Sequence, residues 1–168
     1  MKKKQILSTT ILVVTVIIIA AAMLYVVLEQ EKMKNKLYEP TDIKNVVITL
    51  KRSVCFGICP TYNLTIYGNG TVVYEGTENV NITGIQISNI TENNIRQLIS
   101  EFKKINYFSL NETEIASHVV YDAPVFTTSL TINGKTKTIK HYETAEPKQL
   151  TDLENKIDEI ANSSQWID

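Results

Sequence analysis

Only two cysteines occur in the 168-residue chain, and both lie in one segment, Cys55-Phe56-Gly57-Ile58-Cys59-Pro60. Two thiols this close in an otherwise cysteine-free chain point to a joint role. Outside the cytoplasm the default is a disulfide; the other chemistry open to the pair is reversible thiol–disulfide exchange. Gly57 lets the three intervening residues turn tightly enough to close the ring. Arg52, one of two arginines, stands beside this loop, where its charge can favour a thiolate. The alternative is that it pairs with a carboxylate, for which Asp122 is the candidate. Tyr62, Tyr67, Tyr74 and Tyr121 can line a ligand face or pack at the rim of a sheet. His118 and His141 stand in no motif and read as surface residues. Asp122, ahead of Ala123-Pro124, reads as a turn former. The candidate binding residues are therefore Arg52, Tyr62 and Asp122. No phosphate loop, nucleophile elbow, HExxH or dinucleotide fingerprint is present, so no catalytic residue is assigned.

A second chemical signal is a set of six N-glycosylation triplets, beginning at Asn63, Asn69, Asn81, Asn89, Asn111 and Asn162. With 14 Asn and 28 Ser plus Thr, chance gives roughly two or three. A chain rich in Asn and Thr makes such triplets freely; they carry glycans only if the domain lies outside the cell.

Residues 6–28, ILSTTILVVTVIIIAAAMLYVVL, hold no charge over 23 residues. A hydrocarbon core of about 30 Å needs about 20 apolar residues in a helix. Because the stretch has no polar stripe, it does not read as a core helix. Ala20-Ala21-Ala22 offers a signal-peptidase site, but the apolar run continues through Leu28, where a cleavage region is polar. The reading is an uncleaved signal anchor. Lys2, Lys3 and Lys4 form a short basic tail that stays in the cytoplasm, while Lys32, Lys34 and Lys36 beyond the span level the count. This organisation predicts a cytoplasmic tail at 1–5, a transmembrane anchor at 6–28, a juxtamembrane linker at 29–43 and an extracytoplasmic domain at 44–168. The first 36 residues hold six Lys and two Glu, which leaves eleven basic and sixteen acidic residues beyond, net −5. An acidic domain is repelled by phosphate backbones, so nucleic acid is excluded as a partner. The expected partners are the membrane, through residues 6–28, and a protein, glycan or small ligand.

The domain must be built to hold the cysteine loop. Val46, Ile48 and Leu50 alternate with Val47, Thr49 and Lys51, and Tyr62, Leu64 and Ile66 with Asn63, Thr65 and Tyr67, so two strands flank it. Gly68-Asn69-Gly70 and Asn133-Gly134 are hairpin turns. A further strand is expected across Val80–Ile87, with a bulge at Gly84. Ile95, Leu98, Ile99, Phe102 and Ile105 mark one face of a helix with Thr91 as N-cap. Residues 111–124 read as a loop. Phe126–Ile132 and 135–142 form a hairpin. Leu150, Leu153, Ile157 and Ile160 mark a second helix with Pro147 at its start and a capping box from Thr151 and Glu154. The fold class is α+β: an antiparallel sheet of hairpins covered by two helices, preceded by one transmembrane helix.

The run from Leu50 to Tyr62, with Ile66-Tyr67-Gly68-Asn69-Gly70, Tyr74-Glu75-Gly76, Tyr121-Asp122-Ala123-Pro124 and the Leu150–Trp166 tail, resembles the 6438 family of domains of unknown function over roughly residues 44–167. That resemblance implies a small domain, often exported or anchored, with no assigned activity. A narrower likeness is to the copper-delivering Sco proteins, in which a Cys-x-x-x-Cys-Pro motif behind an anchor binds copper with a distant His. It implies Cu(I) held by Cys55, Cys59 and either His118 or His141, since soft thiolates select that ion. The sequence departs from Sco where a thioredoxin-type scaffold would place a helix directly after the motif: here a strand and hairpin follow. The favoured reading carries no cofactor.

Overall fold

A computed structural model describes residues 2–117, 120, 122–143 and 145–167. The chain divides into two units, Met1–Lys36 and Leu37–Asp168. The first is the greater part of α1, a 36-residue helix from Lys2 to Leu37. At 1.5 Å per residue it is about 54 Å long. Its stretch from Leu12 to Leu37 is long and apolar enough to cross a membrane, and the helix runs on well past Leu28.

The second unit is α+β. Six strands, β1 (Val47–Arg52), β2 (Thr61–Tyr67), β3 (Thr71–Glu78), β4 (Gly84–Asn89), β5 (Val125–Ile132) and β6 (Lys135–Tyr142), form one sheet in the order β4-β3-β2-β1-β5-β6. All five pairings are antiparallel. The first four strands meander, and β5 returns to the free side of β1. Alternation then sorts the residues by face. Ile48, Leu50, Tyr62, Leu64, Ile66, Val72, Tyr74, Leu130 and Ile132 point into the core. Val47, Thr49, Thr65, Val73 and Ser129 lie on the other face and stay partly open to solvent.

Two helices, α2 (Glu92–Lys104) and α4 (Lys148–Ala161), close the core with Ile95, Leu98, Phe102, Leu150, Leu153 and Ile157. Thr91 caps α2 as expected, its hydroxyl accepting from the Asn94 amide at 3.2 Å while Asn94 Oδ1 accepts from the Thr91 amide at 3.0 Å. After α4, Asn162 takes a left-handed conformation (φ 54°) and the chain turns into a short α5 (Ser164–Ile167). This turn carries Trp166 back onto Tyr74, with ring centroids 4.8 Å apart.

The turns follow the rule that positive φ favours Gly and Asn. Gly70 has φ 93°, and Asn133-Gly134 has φ 52° and 72°. At Gly68 the reason is space: a Cβ would stand 1.7 Å from the Ile43 carbonyl oxygen. Asn133 does more than turn the chain. Its Oδ1 accepts from the Thr41 amide at 2.8 Å, and its Nδ2 donates to the Leu37 and Glu39 carbonyls at 3.2 and 2.9 Å. The hairpin thus holds residues 37–41, and Tyr38 enters the core.

Four local expectations differ from the structure. The fourth strand starts at Gly84, where φ is 83°, and not at Val80; the β2–β3 register instead shifts between Thr61 and Tyr62. The segment 111–124 is not all loop, since Glu112–Ser117 forms a short helix, α3, that packs on β6. Thr151 and Glu154 form no capping box. Thr151 lies inside α4, and its hydroxyl donates to the Glu143 carbonyl at 2.8 Å. Tyr62 and Tyr74 are core residues rather than rim residues; only Tyr67 among the described strand tyrosines is exposed.

Candidate functional site

The segment from Ser53 to Pro60 joins β1 to β2. Cys55 and Cys59 are disulfide-bonded, with Cα atoms 5.7 Å apart. The base of the ring is held on two sides. The Ser53 amide donates to the Val125 carbonyl at 3.0 Å, and the Cys59 carbonyl accepts from Thr61 Oγ1 at 3.3 Å and Asn79 Nδ2 at 3.2 Å. The ring's own side chains find no such cover: Phe56 and Ile58 are each 88% exposed. A five-residue ring removes little unfolded-state entropy, so a Cys55→Ser/Cys59→Ser double variant is expected to lose only about 2 kcal/mol, read from urea denaturation. A loss well above this would mean that the bridge also stabilises folded contacts.

Below the ring, an open cleft of about 260 Å³ is lined by Arg52, Cys59, Pro60, Tyr62, Pro124, Phe126, Glu143, Asn155 and Ile167. Arg52 organises its wall. Its Nε donates to Asp158 Oδ2 at 2.8 Å, a terminal nitrogen lies 2.6 Å from the same oxygen, and that nitrogen donates to Asn155 Oδ1 at 3.0 Å. The guanidinium carbon sits 4.0 Å from the centre of the Phe126 ring, a cation–π contact. Asp158 also accepts from the Tyr62 hydroxyl and from Ser163 Oγ, each at 2.7 Å. Burial is the largest influence and pulls the Arg52 guanidinium down, but the groups that face it, Asp158 first and then Tyr62 and Glu154, together hold the pKa above its ordinary value. The cluster joins β1, β2 and α4 beneath the cysteine ring.

The structure therefore unites Arg52, Tyr62 and the Cys55–Cys59 bridge, and it corrects one pairing. The carboxylate that meets Arg52 is Asp158, not Asp122. Asp122 is an exposed turn residue with φ 64°. Asp158 escaped sequence reasoning because it follows Ile157 on an otherwise charged helix edge and carries no motif.

His141 is a second correction. It is buried on β6, not at the surface. Thr151 spends its proton on the Glu143 carbonyl, so His141 Nε2, 3.2 Å from Thr151 Oγ1, is the donor in that contact. Nδ1 then faces Glu154 Oε1 at 3.5 Å, and the same oxygen accepts from Thr128 Oγ1 at 2.6 Å. Among the described residues, His141 Nδ1 and Glu154 Oε2 are buried and find no hydrogen-bond partner. Glu154 was legible: it falls four residues after Leu150 and three before Ile157, on the buried stripe of α4. His118 and Tyr121 lie outside the described residues. Among the described residues no three His, Cys, Asp or Glu side chains converge as metal ligands. Of the triplet asparagines, Asn69, Asn81, Asn89, Asn111 and Asn162 are exposed. Asn63 is half-buried and donates to Glu75 Oε2 at 3.1 Å.

Four tyrosine hydroxyls sit where ionisation is opposed. Burial pushes Tyr38, Tyr62, Tyr74 and Tyr107 above the ordinary tyrosine value of 10.0, and the Asp158 charge adds to the shift at Tyr62. A raised folded-state pKa means that stability is complete below the unfolded value and is lost as pH rises through and beyond it. The melting temperature is expected to hold below about pH 10 and to fall steeply above it. Tyrosinate absorbance should then rise together with unfolding; if it titrates fully while the fold persists, these hydroxyls are open to solvent.

A family model described as a domain of unknown function (DUF6438) matches residues 46–161. The chain belongs to that family. No curated protein matches it. The match runs from the first strand to the end of α4, so the disulfide ring and the Arg52–Tyr62–Asp158 cluster both fall within the DUF6438 domain. The likeness to Sco proteins gains nothing from the fold, because β2 follows Pro60 directly and no helix follows the motif.

Proposed function

We propose that this DUF6438 protein is a single-pass membrane protein whose extracytoplasmic domain is a non-enzymatic binding module. In this reading residues 1–5 are the cytoplasmic tail, 6–28 the signal anchor, 29–43 the juxtamembrane segment and 44–168 the outer domain. One observation carries the binding role: the disulfide ring, whose Cys59 lines the Arg52 cleft, presents Phe56 and Ile58 to solvent, each 88% exposed. Apolar side chains held in water on a braced loop are the features of a contact surface. Arg52, in the cleft wall, is tied to Asp158 and Asn155, which fixes the shape of that wall and suits recognition of a protein, glycan or small ligand. The charge-free stretch 6–28 supports the anchor, and a disulfide suits an oxidising compartment. The exposed triplet asparagines outside β4, Asn69, Asn81, Asn111 and Asn162, are the proposed glycan acceptors on such a surface.

The second reading, thiol–disulfide exchange or Cu(I) handling by Cys55 and Cys59, rests on the half-buried position of both cysteines in an exposed loop. Copper would need a third ligand, and His141 points its ring nitrogens at Thr151 and Glu154.

One experiment tests placement and thiol state together. Intact cells are treated with a membrane-impermeant maleimide before and after reduction. The expected result is no labelling before reduction and labelling of Cys55 and Cys59 after it. Labelling only after the membrane is opened places the domain inside and overturns the proposal. Labelling without reduction shows free thiols and favours the exchange reading.

A further inference from the structure

The two edges of the sheet are built differently. β6 carries Lys135, Lys137 and Lys140, and α3 packs against it. Lys137 is drawn across to that side, donating to the Phe108 and Leu110 carbonyls at 3.2 and 2.6 Å and facing Glu112 at 3.3 Å. Charge and cover are the usual protections of an edge strand. β4, Gly-Ile-Gln-Ile-Ser-Asn, has neither. It is uncharged, its only hydrogen-bonded neighbour among the described strands is β3, and no residue of it is buried. Its two isoleucines point away from the helices, paired with Glu75 and Val73, and are 64% and 67% exposed. Strand propensity and exposed aliphatic side chains thus coincide on the one edge that lacks protection.

We infer that β4 is the dimerisation edge of this protein, pairing antiparallel with β4 of a second copy about a two-fold axis through Gln86. The occupant follows from the register. With Gln86 opposite itself, Ile85 lies opposite the second copy's Ile87, and Ile87 opposite its Ile85. Each row then reads Val73, Ile87 and the second copy's Ile85 across the open face, so four isoleucines and two valines form one apolar strip. A one-residue slip would set isoleucine against the helix side of the partner strand and lose the strip. No like charges meet within the paired strands, although each domain is acidic overall. Pairing with β6 is disfavoured by the lysines and α3, so the contact closes as a dimer and does not propagate as a filament. Main-chain hydrogen bonds supply affinity and the alternating side chains supply register. The inference stands independently of the anchor and the binding role proposed above.

Full-length protein in detergent tests it with single cysteines, read with a short bismaleimide that reacts only with free thiols and leaves Cys55–Cys59 intact. Gln86→Cys, at the axis, is expected to give a covalent dimer. Thr138→Cys, exposed on the opposite edge, is expected to stay monomeric. Adding Ile87→Lys to Gln86→Cys should reduce the dimer at least tenfold while the far-ultraviolet circular dichroism is unchanged. α1 could also bring two copies together, so position decides: equal crosslinking from Thr138→Cys overturns the inference, as does a Gln86→Cys chain that is labelled yet monomeric. A glycan found on Asn89, at the end of the same strand, would cover the edge and overturn it as well.

Discussion

Asp158→Ala is expected to cost about 3–5 kcal/mol, the range for removing one partner of a buried ion pair. The side chains of Arg52 and Asp158 are only 12% and 16% exposed. Without the carboxylate, the guanidinium keeps Asn155 and the Phe126 ring but loses its hydrogen-bonded counter-charge, and the Tyr62 and Ser163 hydroxyls lose their acceptor. Domains of this size are stable by roughly 5–15 kcal/mol, so a large share of the margin rests on this residue. Asp158→Asn keeps the shape and should cost less. An Arg52→Ala/Asp158→Ala double variant should cost less than the sum of the singles, because the partners share one interaction. Urea denaturation reads all four chains, with an unchanged slope showing that stability alone has moved. A loss under about 1 kcal/mol for Asp158→Ala, the range of a surface pair, would mean that water screens the cluster and that it does not organise the cleft.

The buried pair under β6 leads to a second large effect with an opposite sequel. Glu154→Ala should cost about 1–3 kcal/mol, since it leaves the Thr128 hydroxyl without its acceptor in the core and removes the carboxylate that faces His141. Replacing the whole polar group by apolar residues of similar size removes the desolvation cost along with the contacts. The triple variant Thr128→Val/His141→Leu/Glu154→Leu is therefore expected to return to within about 1 kcal/mol of the parent. A triple variant as unstable as Glu154→Ala would show that the polar network itself is needed for a unique core.

The strands, turns and helices could be read from the chain because each is written locally. Period-two alternation marks β1, β2 and β5, Gly68-Asn69-Gly70 and Asn133-Gly134 demand positive φ, and Thr91 starts α2. The readings that failed are those in which distant residues compete for one polar group. Thr151 looked like a cap, but the Glu143 carbonyl and the His141 ring claim its hydroxyl. Glu112–Ser117 lacks a long apolar period, and its helix is supported by packing on β6. His141 carries no local sign of burial; it is enclosed because β6 pairs with β5 and lies against α4 near Glu154.

The sequence by itself determined the apolar stretch at 6–28, the α+β class and the proximity of Cys55 to Cys59, because charge, periodicity and short loop closure act over a few residues. Only the tertiary structure decided that Arg52 meets Asp158 rather than Asp122, and that the cysteine ring stands above a cleft with Phe56 and Ile58 in solvent. Those outcomes depend on which carboxylate the returning α4 brings to the end of β1, and no local preference encodes a contact 106 residues away.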